Sequence, residues 1–435
     1  MTATLPAADR FRLALLVLLI GQMFVYYDTA YKTIPNINLY LLANLVLIVL
    51  ALIPWQRMAP LLWLLVWPLG ALARMDWILR PTQSDVFWAT SQGVDFLLHG
   101  RNPYTQVYTW VYQHQPGIQN YPAYSYFPGS LLAEIPFYLL GNVRWGLGLA
   151  DLGCAVLIYL LARDTLTLWS ARALAAGWLL FVPAFQVPLR LGALDFLLLF
   201  WIALAVWLYR REWLIGSACA AAMAFGTKQY GFLFAVPWGI LLLQPLRAAL
   251  WTQWQAGSRR IGALIATLPR RLWLPPLAEA GFAALLVVPL ALLSPKAFID
   301  ATIANHLAYL PDPMLGTPQW NESIAAQIVA LRGLSLTAAG QIAGGIFVPL
   351  LLIVLIAATL LIRTAADALR WAALATGVTL AFNNVQTQFF YWRLPLLLFL
   401  LYYLVALPPA RPLTRRAPAR APQPPLLKGE EESLE

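Results

Sequence analysis

The 435 residues are 61% hydrophobic and only 11% charged, against about 25% charged in a soluble domain. So few charges cannot coat a water-soluble particle of this length, and the long apolar runs point to lipid as the second solvent. The net charge of +10 sits mainly on arginines in short loops between apolar runs, and no nucleic-acid-binding motif accompanies it, so it reads as membrane topology.

Twelve helices are predicted along the chain, at 11–27, 38–54, 59–79, 145–162, 170–188, 190–209, 212–226, 229–243, 275–293, 338–362, 367–385 and 389–407. Several fall short of the roughly 20 residues of an upright span, which implies tilted or broken segments. The first apolar run has no small-residue cleavage site after it and reads as a retained helix. An even number of spans puts both termini on one side. With the termini inside, the inner segments carry about 19 of the 29 Lys and Arg and the outer segments about 10, the excess expected of cytoplasmic loops. The expectation is therefore an all-α, polytopic bundle of the plasma (inner) membrane with cytoplasmic termini.

Six regions follow: N-terminal transmembrane helices (1–79), a first outer loop with juxtamembrane helices (80–142), central transmembrane helices with an inner interfacial loop (143–293), a second outer loop (294–337), C-terminal transmembrane helices (338–407) and a disordered cytoplasmic tail (408–435). Within the inner loop 244–274, Trp251, Trp254 and scattered arginines predict an interfacial helix. Cys154 and Cys219 lie inside apolar runs and read as small packing residues.

The first outer loop carries the most informative stretch, SDVFWATSQGVDFLLHG from Ser84 to Gly100. Wound as a helix, it gathers Asp85, Trp88, Gln92, Asp95 and His99 into an arc of about 80°. Phe87, Thr90, Val94, Leu97 and Leu98 take the other side. Ser84 is placed to cap the helix and Gly100 to stop it, which describes a helix lying on the membrane surface. Asp85 stands in the first turn, where the helix dipole favours the carboxylate. A carboxylate there suits a general base, and it equally suits a residue that only stabilises the helix start. Proline and glycine between Tyr121 and Gly141 predict shaped turns there and no helix. Tyr104, Tyr108, Tyr121, Tyr124 and Tyr126 read as interfacial anchors, or as rings that stack on a sugar or flank a lipid chain. All three histidines, His99, His114 and His306, fall on the outer side.

These segments resemble a family. An Asp after an outward-going helix, a surface helix, the G-x-NPY of Gly100 to Tyr104 and the aromatic stretch that follows are similar to membrane glycosyltransferases of the GT-C fold. Among these they most resemble glycosyltransferase family 87, the polyprenyl-phosphate-mannose-dependent mannosyltransferases and their relatives. LRLGALDFLLLF (Leu189 to Phe200), AFGTKQYGFLFAVP (Ala224 to Pro237) and QWNESIAAQIVALRG (Gln319 to Gly333) resemble later segments of that family. The likeness covers roughly residues 80–400. It departs at Ala193 beside Gly192, where Gly-Gln is usual, and at Arg393 in QTQFFYWRLP (Gln386 to Pro395).

The resemblance implies a GT-C bundle of about 12 spans that moves a sugar, mannose or a related one, from a polyprenyl-phosphate donor to a lipid or glycan acceptor on the outer face. Its chemistry needs a carboxylate to take the hydroxyl proton, cations to hold the departing phosphate and an apolar groove for the lipid tail. By motif position Asp85 is the expected base, with Asp95 second. Lys228, Arg190 and Arg393 are the expected phosphate ligands, and Tyr104, His306 and Asn321 the expected sugar or acceptor contacts. Besides the two substrates, the expected partners are membrane lipids. No cofactor and no metal is expected, since these cations suffice to neutralise one phosphate. Two other readings compete: an O-antigen ligase- or polymerase-like enzyme, and a transporter or flippase of lipid-linked sugar, although no internal repeat of the transporter kind is visible.

Overall fold

A computed structural model describes residues 6–30, 37–52, 58–82, 84–114, 124–180, 186–255, 269–304, 336–382 and 393–408. Among them there are helices and turns and no strand. The helices are α1 (Ala7–Ala30), α2 (Ile37–Leu52), α3 (Met58–Leu79), α4 (Asp85–Leu98), α5 (Thr109–His114), α6 (Pro128–Leu139), α7 (Arg144–Thr165), α8 (Leu168–Leu180), α9 (Gln186–Leu191), α10 (Asp195–Arg210) and α11 (Leu214–Thr227). A 3-10 turn, Gln229–Gly231, leads into α12 (Phe232–Gln255). Then come α13 (Arg270–Leu293), α14 (Pro295–Ile299) running into a π turn at Asp300–Ala304, α15 (Leu336–Leu361), α16 (Ala365–Phe382) and α17 (Arg393–Ala406).

Each predicted helix has a counterpart, with differences at the boundaries. The segment expected at 170–188 is two helices, α8 and α9. The next begins at Asp195 and not at 190, because Gly192 turns the chain there with φ of +69°, a conformation that costs glycine nothing. The inner-loop stretch with Trp251 and Trp254 is no separate helix but the end of α12, which continues past Pro245; both tryptophans are exposed. The turns expected between Tyr121 and Gly141 are corrected by α6. Pro128 occupies its first turn, where the missing N–H costs nothing, and Pro136 lies close to its end.

Among the described residues four helices are long and apolar enough to cross a membrane: Met58–Leu79, Arg144–Thr165, Gln229–Gln255 and Arg270–Leu293. Shorter apolar helices, among them Leu214–Thr227 and Arg393–Ala406, pack with them. The core is built on α7, α10 and α11. The alanines of α11, at 218, 220, 221, 222 and 224, are buried, and such small side chains let helix backbones approach closely. By contrast α13 buries only Pro275, Glu279 and Leu286, so most of its surface faces outward, as suits a helix bathed in lipid.

One charged cluster ties distant parts of this bundle together. Asp151 of α7 accepts from Arg74 Nε of α3 at 2.8 Å, Arg393 Nη1 of α17 at 2.8 Å and Trp178 Nε1 of α8 at 2.9 Å. Arg74 also donates to the carbonyls of Gly70 and Leu179. The Arg393 guanidinium lies 4.9 Å from the ring centroids of both Trp178 and Phe196. All three charged groups are buried.

Candidate functional site

The helices between α3 and α7, namely α4, α5 and α6, close over one end of the bundle. α4 is more enclosed than a surface helix: Thr90, Ser91, Gln92 and Val94 are all buried. Gln92, expected on an open polar stripe, donates to Thr109 Oγ1 at 3.0 Å and accepts the Trp110 N–H at 2.9 Å. Trp88 stacks on His114 with ring centroids 3.6 Å apart. The short helix α5 therefore covers the middle of the stripe, at Trp88 and Gln92, and leaves His99 exposed.

Asp85 and Asp95 stand ten residues apart on α4, about 15 Å along its axis, so they belong to different places. Asp95 lies toward the C-terminal end of α4. It accepts from the Tyr138 hydroxyl at 3.0 Å, and His99 Nδ1 lies 3.4 Å from the same oxygen. Asp85 is at the other end, half-buried, and accepts the N–H of Val86 at 2.8 Å. Ser84 holds the N-cap position without a side-chain capping bond. Burial raises the Asp85 carboxyl above its ordinary 3.8, against the smaller opposing pull of local hydrogen bonds. Desolvation, not the helix dipole, sets its protonation.

The N-terminus of α4 meets the corner between α9 and α10. A methyl placed on Gly192 would lie 3.0 Å from Phe87 Cβ, so the first turn of α4, which begins with Asp85, packs on the link that leads into Asp195 and α10. Arg190 ends α9 there. Its side chain is exposed, and among the described residues no carboxylate pairs with it. Its carbonyl accepts from Arg144, which also donates to the carbonyls of Trp77 and Arg80. Arg144 is buried and its bonds fasten the C-terminal ends of α3 and α9, where a cation is favoured.

Lys228 is the second cation of this corner. Its ammonium donates to both Asp195 oxygens, at 3.0 and 2.9 Å, and is 7% exposed. The rings of Tyr126 and Tyr230 flank it, with centroids 5.7 and 5.6 Å away. Gln229 then pins the turn by donating to the carbonyls of Ser125 and Thr302. Beside the ion pair a cleft with room for about one water is lined by Asp195, Tyr230, Leu233, Thr376, Thr379, Leu380 and Leu394.

The remaining expected site residues lie elsewhere. Arg393 is 3% exposed and held by Asp151 inside the bundle. Tyr104 is 2% exposed, and its hydroxyl donates to the carbonyl of Tyr126 at 2.7 Å. Tyr108 and Tyr124 are buried as well. These tyrosines form the packed interior of the outer-loop helices, with no face turned outward for a sugar. His306 and Asn321 lie outside the described residues. Thus Lys228 is joined to Asp195, Tyr126 and Tyr230, while Asp85 and Arg190 stand on the segments that meet at Phe87 and Gly192. Asp195 carried a usable signal: an acid opening an apolar helix must find a cation. Its partner is Lys228, 33 residues on, and not the nearby Arg190.

The chain matches no family model, no curated protein and no solved structure. The reading of the corner rests on its own chemistry.

Proposed function

We propose that the protein is a membrane glycosyltransferase of GT-C type with about 12 spans, transferring a mannose-like sugar from a polyprenyl phosphate to a lipid or glycan hydroxyl on the outer face of the plasma membrane. The observation that carries the reading is the corner itself. A half-buried carboxylate on α4, an exposed arginine in α9 and a lysine between two tyrosine rings stand on the elements that meet at the link between α9 and α10. In this scheme the acceptor hydroxyl attacks the anomeric carbon and gives its proton to Asp85. The bond between that carbon and the phosphate oxygen breaks, and its electron pair leaves with the polyprenyl phosphate. Arg190, exposed and with no carboxylate partner among the described residues, meets the phosphate, while Lys228 adds a second positive charge whose position Asp195 fixes. Arg393, Tyr104 and Asp95 have no direct part in this version of the site.

The raised Asp85 carboxyl gives the scheme a pH signature. A base works ionised, so transfer is expected to rise with pH through a value above the ordinary 3.8 of an Asp. Asp85→Asn in purified, detergent-solubilised protein, with radiolabelled polyprenyl-phosphate sugars as donors, is expected to lower transfer by about 10²–10⁴-fold. Unchanged transfer in the variant would remove Asp85 from the chemistry. Movement of intact lipid-linked sugar across vesicles, with no bond cleaved by the wild type, would replace the enzyme with a flippase.

A further inference from the structure

Glu134, in the middle of α6, has no part in the corner just described. It is 0% exposed, and among the described residues neither carboxyl oxygen has a hydrogen-bond partner. Its space is made by α7: a methyl on Gly146 would sit 2.6 Å from Glu134 Oε2 and would also overlap Phe137. An ionised carboxylate without partners is not tolerated in such a place. Five residues earlier, α6 makes its closest approach to the helix that carries Lys228. A methyl on Gly129 would lie 2.6 Å from the carbonyl oxygen of Gly226. That carbonyl is two residues before Lys228.

We propose that Glu134 is a proton-operated latch: protonated, it lets α6 lie in the α7 seam and brace the Gly226–Lys228 turn, and ionised, it drives α6 out and loosens that turn. The surrounding charges leave this role to the proton. On α4, Asp95 is bound by Tyr138 and His99. On α7, Arg144 is bonded to carbonyls and Asp151 is held by two arginines. At the end of α11, Lys228 is bound by Asp195. The stretch of α13 from Leu286 to Leu293, next to this contact, has no ionisable residue. Tyr124, just before α6, is buried with its hydroxyl 2.7 Å from Ser130 Oγ; burial first, and an ionised Glu134 in addition, disfavour its deprotonation, so it stays neutral. Burial itself holds the Glu134 carboxyl well above its ordinary 4.5.

The sign follows from proton linkage. The closed form keeps its proton to higher pH than the open form. Closing is therefore most favourable below about the ordinary carboxyl value and weakens as pH rises, until the buried value is reached. One proton is released on opening, so the open fraction grows about tenfold per pH unit across that window.

The test compares wild-type protein with Glu134→Gln, which keeps shape and removes titration. Amide hydrogen exchange is followed at residues 128–139 and 224–231 at matched pH. The two proteins are expected to exchange alike at pH about 4.5, and the wild type to exchange progressively faster than the variant as pH rises, in both segments. Parallel behaviour at every pH would overturn the latch. A difference confined to 128–139 would overturn its link to Lys228. Thermal midpoints guard against a misfolded variant: Glu134→Gln is expected to melt higher than wild type at pH about 7, and a lower midpoint would also count against the proposal.

Discussion

Asp151→Asn is expected to be the most damaging single polar substitution in the bundle, costing about 3–5 kcal/mol. The wild-type cluster holds one carboxylate against two guanidiniums, so it already carries an excess of positive charge away from water. Removing the only anion of this cluster leaves Arg74 and Arg393 facing each other across a neutral amide; Arg74 keeps the carbonyls of Gly70 and Leu179, but neither guanidinium keeps a counter-charge. The expected readout is a large fall in thermal midpoint in detergent, or a shift to aggregate on size exclusion. If the loss comes from stranded charge and not from the shape of residue 151, then adding Arg74→Met and Arg393→Met to Asp151→Leu restores much of the stability. A well-folded Asp151→Asn protein would show that the guanidiniums find water or lipid phosphate instead.

Gly231→Ala is the second large effect, and it acts on the site as well as on the fold. A methyl at this position would collide with the carbonyl of Ala224 and would lie 2.8 Å from Phe225 Cα. Both are backbone atoms of α11 and have no rotamer to change. The 3-10 turn would have to move, and with it Lys228 and Gln229, at a cost of about 1–3 kcal/mol or more. The expected result is a lower thermal midpoint together with weaker binding of a polyprenyl phosphate. Gly281→Ala is the control, since nothing lies within 4 Å of a methyl there. It is expected to be neutral or slightly stabilising, because alanine suits a helix better than glycine. Equal behaviour of the two variants would mean that the turn has slack.

Local signals explain which parts of this molecule were readable in the chain. Apolar runs bounded by arginine and proline marked the helices, and Ser84 to Gly100 framed α4 closely, because these features act within a few residues of themselves. α6 was misread because two prolines were taken as breakers, while both sit where a short helix tolerates them. The partners of charged groups were not readable. Arg393 and Asp151 are 242 residues apart, and nothing local distinguishes an arginine that snorkels to a headgroup from one that crosses the core to an aspartate. Tyr104 was misjudged for the same reason: its ring and hydroxyl fit an exposed belt and a packed interior equally, and only the fold decides. Glu134 left no mark at all, as a lone acid in an apolar stretch has no pattern around it.

The Asp151 cluster also bears on the order in which the chain is made. Arg74 and Asp151 are both synthesised in the first part of the polypeptide, and together they balance. Arg393 arrives 242 residues after Asp151, on the last of the described helices, bringing a charge the nascent bundle does not require. Its docking has to be driven by its leucines, Leu397, Leu398 and Leu401, which are fully buried, and by the faces of Trp178 and Phe196. Ribosomes that stop short of α17 would thus release a product whose interior is already electrically settled, and quality control would have to recognise the uncovered greasy groove.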